Sequence, residues 1–336
     1  MTIPLSILDL APIAPGQTAR ESFAASVALA QAAEKHGYER VWYAEHHNMP
    51  TIASSATGIL IGHVAAHTST IRLGAGGIML PNHSPLVIAE QFGTLAELFP
   101  GRIDLGLGRA PGSDQTTARA MRRDASASNQ FPQDVLELQA YLRGESIIPG
   151  VQAVPGAGTN VPLYILGSSL FGAGLAAAFG LPYAFASHFA PDALHEAIAT
   201  YRRDFQPSRQ LAQPHVIVGV NVIAADDSAD ATLQFETTRR ARVRGMIARG
   251  PAAPDYSDDQ IDAFLTTQEG LNIANMMRYS AVGTPSEVRA YLEDVAASTR
   301  ADELIIAHQS RDIAARLRSV ELTAEAMNAV ANSATV

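Results

Sequence analysis

The sequence predicts a (β/α)₈ barrel. Eight apolar runs of strand length occur along the chain, and segments of helical periodicity separate them, the pattern of successive βαβ units around a parallel sheet. The 336 residues also exceed the roughly 250 that such a barrel needs, leaving room for insertions. The expected strands are residues 5–10, 40–43, 71–75, 102–106, 163–166, 183–186, 216–223 and 303–307. Each is nearly continuous in apolar residues, as in strands covered on both faces.

The intervening helices carry their own signals. Residues 18–36 place Phe23, Val27, Leu29 and Ala30 at helical spacing and stop at Gly37, a left-handed terminator. Residues 85–99 open on a proline and close before Pro100-Gly101, and 285–298 begin with Thr284-Pro285-Ser286-Glu287, a capped start with proline in the first turn. Two connections are long: 107–132 after the fourth strand, and 226–283 after the seventh, with helical pieces near 232–249 and 258–275. Long connections in compact domains are commonly functional lids or mobile segments. The expected organisation is one domain over 1–336 with an insertion at about 226–283. Strand counts do not establish closure, so two doubly wound domains divided near Pro155-Gly156 remain the alternative.

Composition narrows the chemistry. The chain is 47% apolar and carries a net charge of −9, from 33 acidic and 24 basic residues. No broad basic face is available, so neither nucleic acid nor an anionic membrane is expected as a partner. The N-terminal residues lack a basic segment followed by an apolar one, and apolar stretches such as 175–186 are broken by Gly180 and Pro182; a cytoplasmic location is expected. There is no cysteine, which removes disulfides, thiolate nucleophiles and cysteine-held metals. The one lysine, Lys35, sits at a helix end, against Schiff-base chemistry.

In such barrels the reacting groups follow the strands. Ala11-Pro12 follow the first, Glu45-His46-His47-Asn48 the second, Gly76-Gly77 the third, Leu107-Gly108-Arg109 the fourth, Gly167-Ser168-Ser169 the fifth, Ser187-His188 the sixth and His308-Gln309 the last. Glu45, His46 and His47 alternate in direction and cannot converge on one ion, so no metal is expected. The fourth strand ends in Gly108-Arg109 rather than an acid, against a glycosidase. Gly106-Leu107-Gly108-Arg109-Ala110-Pro111-Gly112 falls short of the dinucleotide fingerprint because Pro111 stands where the third glycine belongs. Residues 167–174 combine a strand end, small residues and the start of an alanine-rich helix, either an anion site or an ordinary serine-capped turn. Arg109 is a phosphate ligand or a surface arginine; Gly76-Gly77 admits a flat ligand or forms a bulge.

These segments, in order, resemble the bacterial luciferase-like flavin-dependent monooxygenases, a family of (β/α)₈ barrels, over nearly the whole length. The marks are residues 8–12 (Leu-Asp-Leu-Ala-Pro), 42–47 (Trp-Tyr-Ala-Glu-His-His), 72–81, 99–102 with 106–109, 166–169, 179–182 and 282–285. The resemblance implies that His46 is the catalytic histidine, a neutral imidazole acting by hydrogen bond or as a base beside flavin and substrate. It implies that Arg109, Ser168 and Ser169 hold the flavin phosphate, with backbone from Gly167 and Gly172; luciferase itself has an acid where Ser168 stands. It implies a non-prolyl cis peptide at Gly76-Gly77 under the ring. Glu45 and His188 are expected on the substrate side, although His188 also suits a capping role; His47 is expected to be structural, and His83 and His308 are unassigned. The implied cofactor is FMN, reduced by a separate NAD(P)H:flavin reductase, with O₂ and a small organic molecule, such as an aldehyde, as substrates; a homodimer is implied too. Two rivals remain. One is an F420-dependent hydride-transfer enzyme of the same superfamily, for whose longer anionic tail Arg119, Arg122 and Arg123 are available, and the other is a non-catalytic flavin-binding barrel.

Overall fold

All eight expected apolar runs become strands, and a ninth joins them. The computed structural model describes residues 3–110, 114–123, 125–247 and 254–333. In chain order its first half contains β1 (Leu5–Asp9), α1 (Ala19–Lys35), β2 (Arg40–Tyr43), α2 (Thr57–Ala65), β3 (Arg72–Met79), α3 (Pro85–Leu98), β4 (Ile103–Gly108), α4 (Gln115–Ala120) and α5 (Phe131–Arg143). There follow β5 (Leu163–Gly167), α6 (Leu170–Phe179), β6 (Tyr183–Phe185), α7 (Leu194–Asp204), β7 (Val216–Ala224), α8 (Ser228–Ile247), α9 (Asp258–Leu265) and α10 (Gln268–Asn275). The last elements are β8 (Ser280–Gly283), α11 (Pro285–Thr299), β9 (Glu303–His308) and α12 (Ile313–Ser333).

Every strand pair is parallel, in the order β6-β5-β4-β3-β2-β1-β9-β7, and a β6–β7 pairing closes the ring. The chain is therefore a (β/α)₈ barrel, and closure removes the alternative of two doubly wound sheets. The insertions after the fourth and seventh barrel strands stand where expected, the second with a correction. Its residues 280–283, expected as connection, form β8 alongside Asn221–Ala224 of β7. The cause is the shortness of β6, which pairs with only Val216–Val218 and leaves the upper edge of β7 open. The expected helix end at Arg249 lies outside the described residues, as does Pro111 of the near-fingerprint.

Local signals explain the helices. Thr18 caps α1 in a reciprocal capping box with Glu21, and Gly37 (φ +77°) turns the chain away. Thr284 and Glu287 repeat the box at α11, with Pro285 in its first turn.

Strand alternation sorts the core into two layers. Ile7, Val41, Leu73, Leu105, Ile165, Val218 and Ile306 face outward into the apolar layer beneath the helices. Their neighbours Leu8, Trp42, Tyr164, Ala184, Ile217 and Ile305 fill the barrel interior. Below them, at the amino ends of the strands, lies a buried ionic floor. Arg40 donates to Asp104 (2.8 Å), to both oxygens of Glu303 (3.0 and 3.2 Å) and to the Tyr164 hydroxyl (2.8 Å). Arg72 and the Trp42 indole also donate to Asp104, and Ser6 to Glu303. Burial alone would lower the Arg40 pKa, but Glu303 and Asp104 more than offset it and hold the guanidinium charged. This closes one end of the barrel and leaves the carboxyl-end rim for function.

Candidate active site

At the end of β2 the chain alternates, and the alternation separates structure from chemistry. Glu45 and His47 point one way and His46 the other. The Glu45 carboxylate is 1% exposed and accepts from His47 Nε2 (2.8 Å), His83 Nε2 (2.9 Å), the Met79 amide (2.9 Å) and Asn82 Nδ2 (3.2 Å). Burial pushes its pKa up, but the donors from His83, His47 and Met79 outweigh this and hold it low. Glu45, expected on the substrate side, is instead a buried anchor: it ties the end of β2 to the end of β3 and thereby aims His46. The Glu45 amide also donates to the Gly77 carbonyl (3.2 Å). His83 belongs to this anchor, and His47 is structural as expected.

His46 is half-buried, and its Nδ1 is buried without a hydrogen-bond partner. Burial lowers its pKa, with Glu45 raising it and His47 lowering it in smaller measure, so the ring is neutral at neutral pH. Across the rim His188 also has a buried Nδ1 without a partner, and burial, the charge of Arg242 and His46 bring its pKa down to about 3. Its ring packs edge-on against Phe189, 5.0 Å between centroids, and its carbonyl accepts from Asn221 Nδ2 (2.8 Å). His308, by contrast, contacts Ser319 (2.9 Å) and Tyr38 (3.5 Å) and is a core histidine.

Between His46 and the corner at Arg109 runs β3. Gly76-Gly77 does not follow this strand but lies within it, at a register shift between Ala75 and Ile78, and the peptide between the two is cis. A Cβ on Gly77 would come within 2.6 Å of the Gly106 carbonyl, and one on Gly76 within 2.8 Å of Trp42. Both positions therefore need glycine to let neighbouring backbones meet. The strand was expected to stop at residue 75 because a glycine pair reads as a break.

The third part of the rim joins β4, β5 and α6. Arg109 is exposed, makes no hydrogen bond or ion pair among the described residues, and stacks its guanidinium 4.1 Å from the Phe171 ring centroid. Phe171 is in the first turn of α6, whose N-cap Ser169 makes no side-chain capping bond. The ordinary serine-capped turn is thus absent, and the first amides of α6 are left open beside an unpaired arginine. Gly167 and Gly172 serve packing as well: a Cβ on Gly172 would meet Tyr183 at 3.3 Å, and Gly167 lies against the same pair. Ser168 is half-buried and Ser169 exposed at this corner. Among the described residues no group of acids and histidines could hold a metal ion.

The luciferase-like monooxygenase family model matches residues 3–303. The chain belongs to this family. It is 50% identical over 323 residues, 96% of each chain, to a protein of Escherichia coli K12 named luciferase-like monooxygenase. It is 31% identical over 334 residues (97% of this chain, 98% of the other) to the N-acetyl-S-alkylcysteine monooxygenase of Bacillus subtilis 168. Among solved structures, apo-MsnO8 superposes with a TM-score of 0.86 at 35% identity, covering 97% of this chain and 98% of that one. The family and the names of these relatives support an oxidoreductase.

Sequence reasoning placed His46, Arg109, Ser168, Ser169 and His188 after barrel strands, and each stands at a strand's carboxyl end; Gly76 and Gly77, expected there too, lie inside β3. It left His83 unassigned and missed Asn82 in the Glu45 anchor, Phe171 against Arg109, and Arg242, whose charge bears on His188. Of these, only Phe171 carried a local signal, an aromatic residue two places after the Ser168-Ser169 pair.

Proposed function

We propose that this chain is an FMN-dependent monooxygenase that uses reduced flavin and O₂ to oxygenate a small organic substrate, with aldehydes and thioethers as first candidates. The thioethers are suggested by the name of the Bacillus relative. The observation that carries the reading is the pairing on one rim of a neutral, half-buried His46 with an uncapped helix start beside an unpaired arginine. These residues fit a flavin phosphate. Arg109 offers a planar fork, and the open amides of Leu170, Phe171 and Gly172 at the positive end of α6 favour an anion, with Ser168 and Ser169 at hand. The ring would lie across Gly76-Gly77 towards His46. Bound reduced flavin supplies the electrons that activate O₂. His46 holds or accepts a proton at Nε2, the nitrogen its buried Nδ1 leaves for the site, and Glu45 keeps that ring aimed. Phe171 and Phe189 help exclude water, with the two long connections as further cover.

On the same reading a separate NAD(P)H:flavin reductase delivers the reduced flavin in the cytoplasm, and no second nucleotide motif in this chain takes its place. No helix among the described residues is long and apolar enough to cross a membrane. A homodimer is part of the proposal, supported by Ile59 (78% exposed) and Leu98 (64%) on the neighbouring helices α2 and α3. The F420 reading retains Arg119 and Arg122, which are exposed by α4, whereas Arg123 donates to the Asn82 carbonyl (2.9 Å).

An oxygen electrode tests the proposal. Reduced FMN with aldehydes, alkanes, sulfonates and thioethers should give oxygen uptake that one of these classes couples to product. Tighter binding of F420 than FMN, with no oxygen consumed, would overturn it.

A further inference from the structure

The helix α8 packs beyond the carboxyl end of β9, beside the residues that hold His188. A chain of hydrogen bonds seats it: Thr238 Oγ1 donates to the Gln309 carbonyl (3.1 Å), Gln309 Nε2 to Asn221 Oδ1 (2.8 Å), and Asn221 Nδ2 to the His188 carbonyl (2.8 Å). Arg242 follows Thr238 by four residues and so lies on the same helix face, one turn further on. Its positive charge bears on the His188 ring.

Arg242 differs from the other arginines of α8. Arg239 pairs with Glu236 (2.5 Å), Arg240 with Asp262 (2.7 Å) and Arg244 with Asp258 (2.6 Å). Arg242 makes no ion pair or hydrogen bond among the described residues, and it is only partly exposed, buried enough that desolvation lowers its pKa. A desolvated, unpaired guanidinium costs free energy that an anion would recover. Beside it, His188 is seated against Gly219, where a Cβ would come within 2.4 Å of Nδ1. With Nδ1 buried there and partnerless, Nε2 is the nitrogen the ring has left for a ligand.

We propose that Arg242 and His188 form an anion-binding end of the substrate pocket, which takes a substrate bearing a carboxylate. The proposal rests on the monooxygenase reading for the word substrate, but not for the site. One guanidinium and one neutral imidazole match a single negative charge, and the planar fork of arginine matches a carboxylate with two parallel hydrogen bonds. The phosphate corner at Arg109 is a different part of the rim, built on β4 and α6 rather than on α8 and β6. The anion at Arg242 is therefore assigned to the substrate and not to the cofactor.

The test is calorimetric titration of the full chain, with and without oxidised FMN. The probes are hexanoate, benzoate and N-acetyl-S-methylcysteine, each against its methyl ester. At least one acid should bind about tenfold or more tighter than its ester. R242Q should level the pair, R242K should retain part of the preference, and neither should change FMN affinity. No preference for any acid in the wild type, or an R242Q variant that loses FMN affinity while keeping the acid preference, overturns the proposal. An acid preference lost in R242Q, in a protein that consumes no oxygen with reduced FMN, would sustain the anion site while removing the monooxygenase reading.

Discussion

Replacing His46 by alanine should lower kcat/KM with reduced FMN and a true substrate by about 10²–10⁴-fold, the range for a lost general acid–base group, with little change in FMN affinity. The asymmetry follows from the rim's geometry. His46 stands at the end of β2, whereas the phosphate corner is built on β4, β5 and α6. Burial lowers the His46 pKa, so its folded-state value lies below the ordinary 6.5 and the neutral base is present at pH 7. As pH falls through that lowered value the imidazole protonates and base function is lost. The wild-type kcat/KM profile should therefore have an acid limb below pH 6.5 that H46A lacks. Unchanged turnover in H46A would rule out His46 as the acid–base group.

The second large effect belongs to the opposite end of the barrel. Arg40→Met should destabilise the fold by about 3–5 kcal/mol, the cost of leaving buried charge uncompensated. Glu303 (1% exposed) would lose its bidentate cation there, and Asp104 (0%) one of its two arginines. The measurement is urea unfolding, in which the midpoint should fall with the slope little changed. Flavin affinity in the folded fraction should stay as in the wild type, because the floor and the rim sit at opposite ends of the strands. A change below 1 kcal/mol would mean that Arg72, which also donates to Asp104, carries the floor without Arg40.

Where the sequence was readable, the reason is local. Strands covered on both faces must be apolar throughout, so runs such as 216–223 stand out, and capped helix starts such as Thr284-Pro285-Ser286-Glu287 announce themselves. Where it was not readable, the cause is distance along the chain or a signal too short to stand out. Ser280–Gly283 is a four-residue strand whose place depends on how short β6 is. Glu45 reads as a rim acid until His83, 38 positions away, is seen to bond it. Arg40 and Glu303 stand 263 positions apart and meet only because β2 and β9 belong to one closed sheet. Arg242 is one of four arginines in α8, and only packing leaves it unpaired among the described residues.

The central claim is that the carboxyl-end rim is an FMN site whose phosphate lies at Arg109 and the start of α6. Comparing FMN with riboflavin by fluorescence quenching tests it most directly, because the two differ only in that phosphate. FMN should bind the wild type about tenfold or more tighter than riboflavin, since a hydrogen bond to a charged group contributes about 1.5–3 kcal/mol. Arg109→Gln should erase most of that difference while leaving riboflavin binding unchanged. Equal affinity for the two flavins, or an Arg109→Gln variant that keeps the preference for FMN, would contradict the claim.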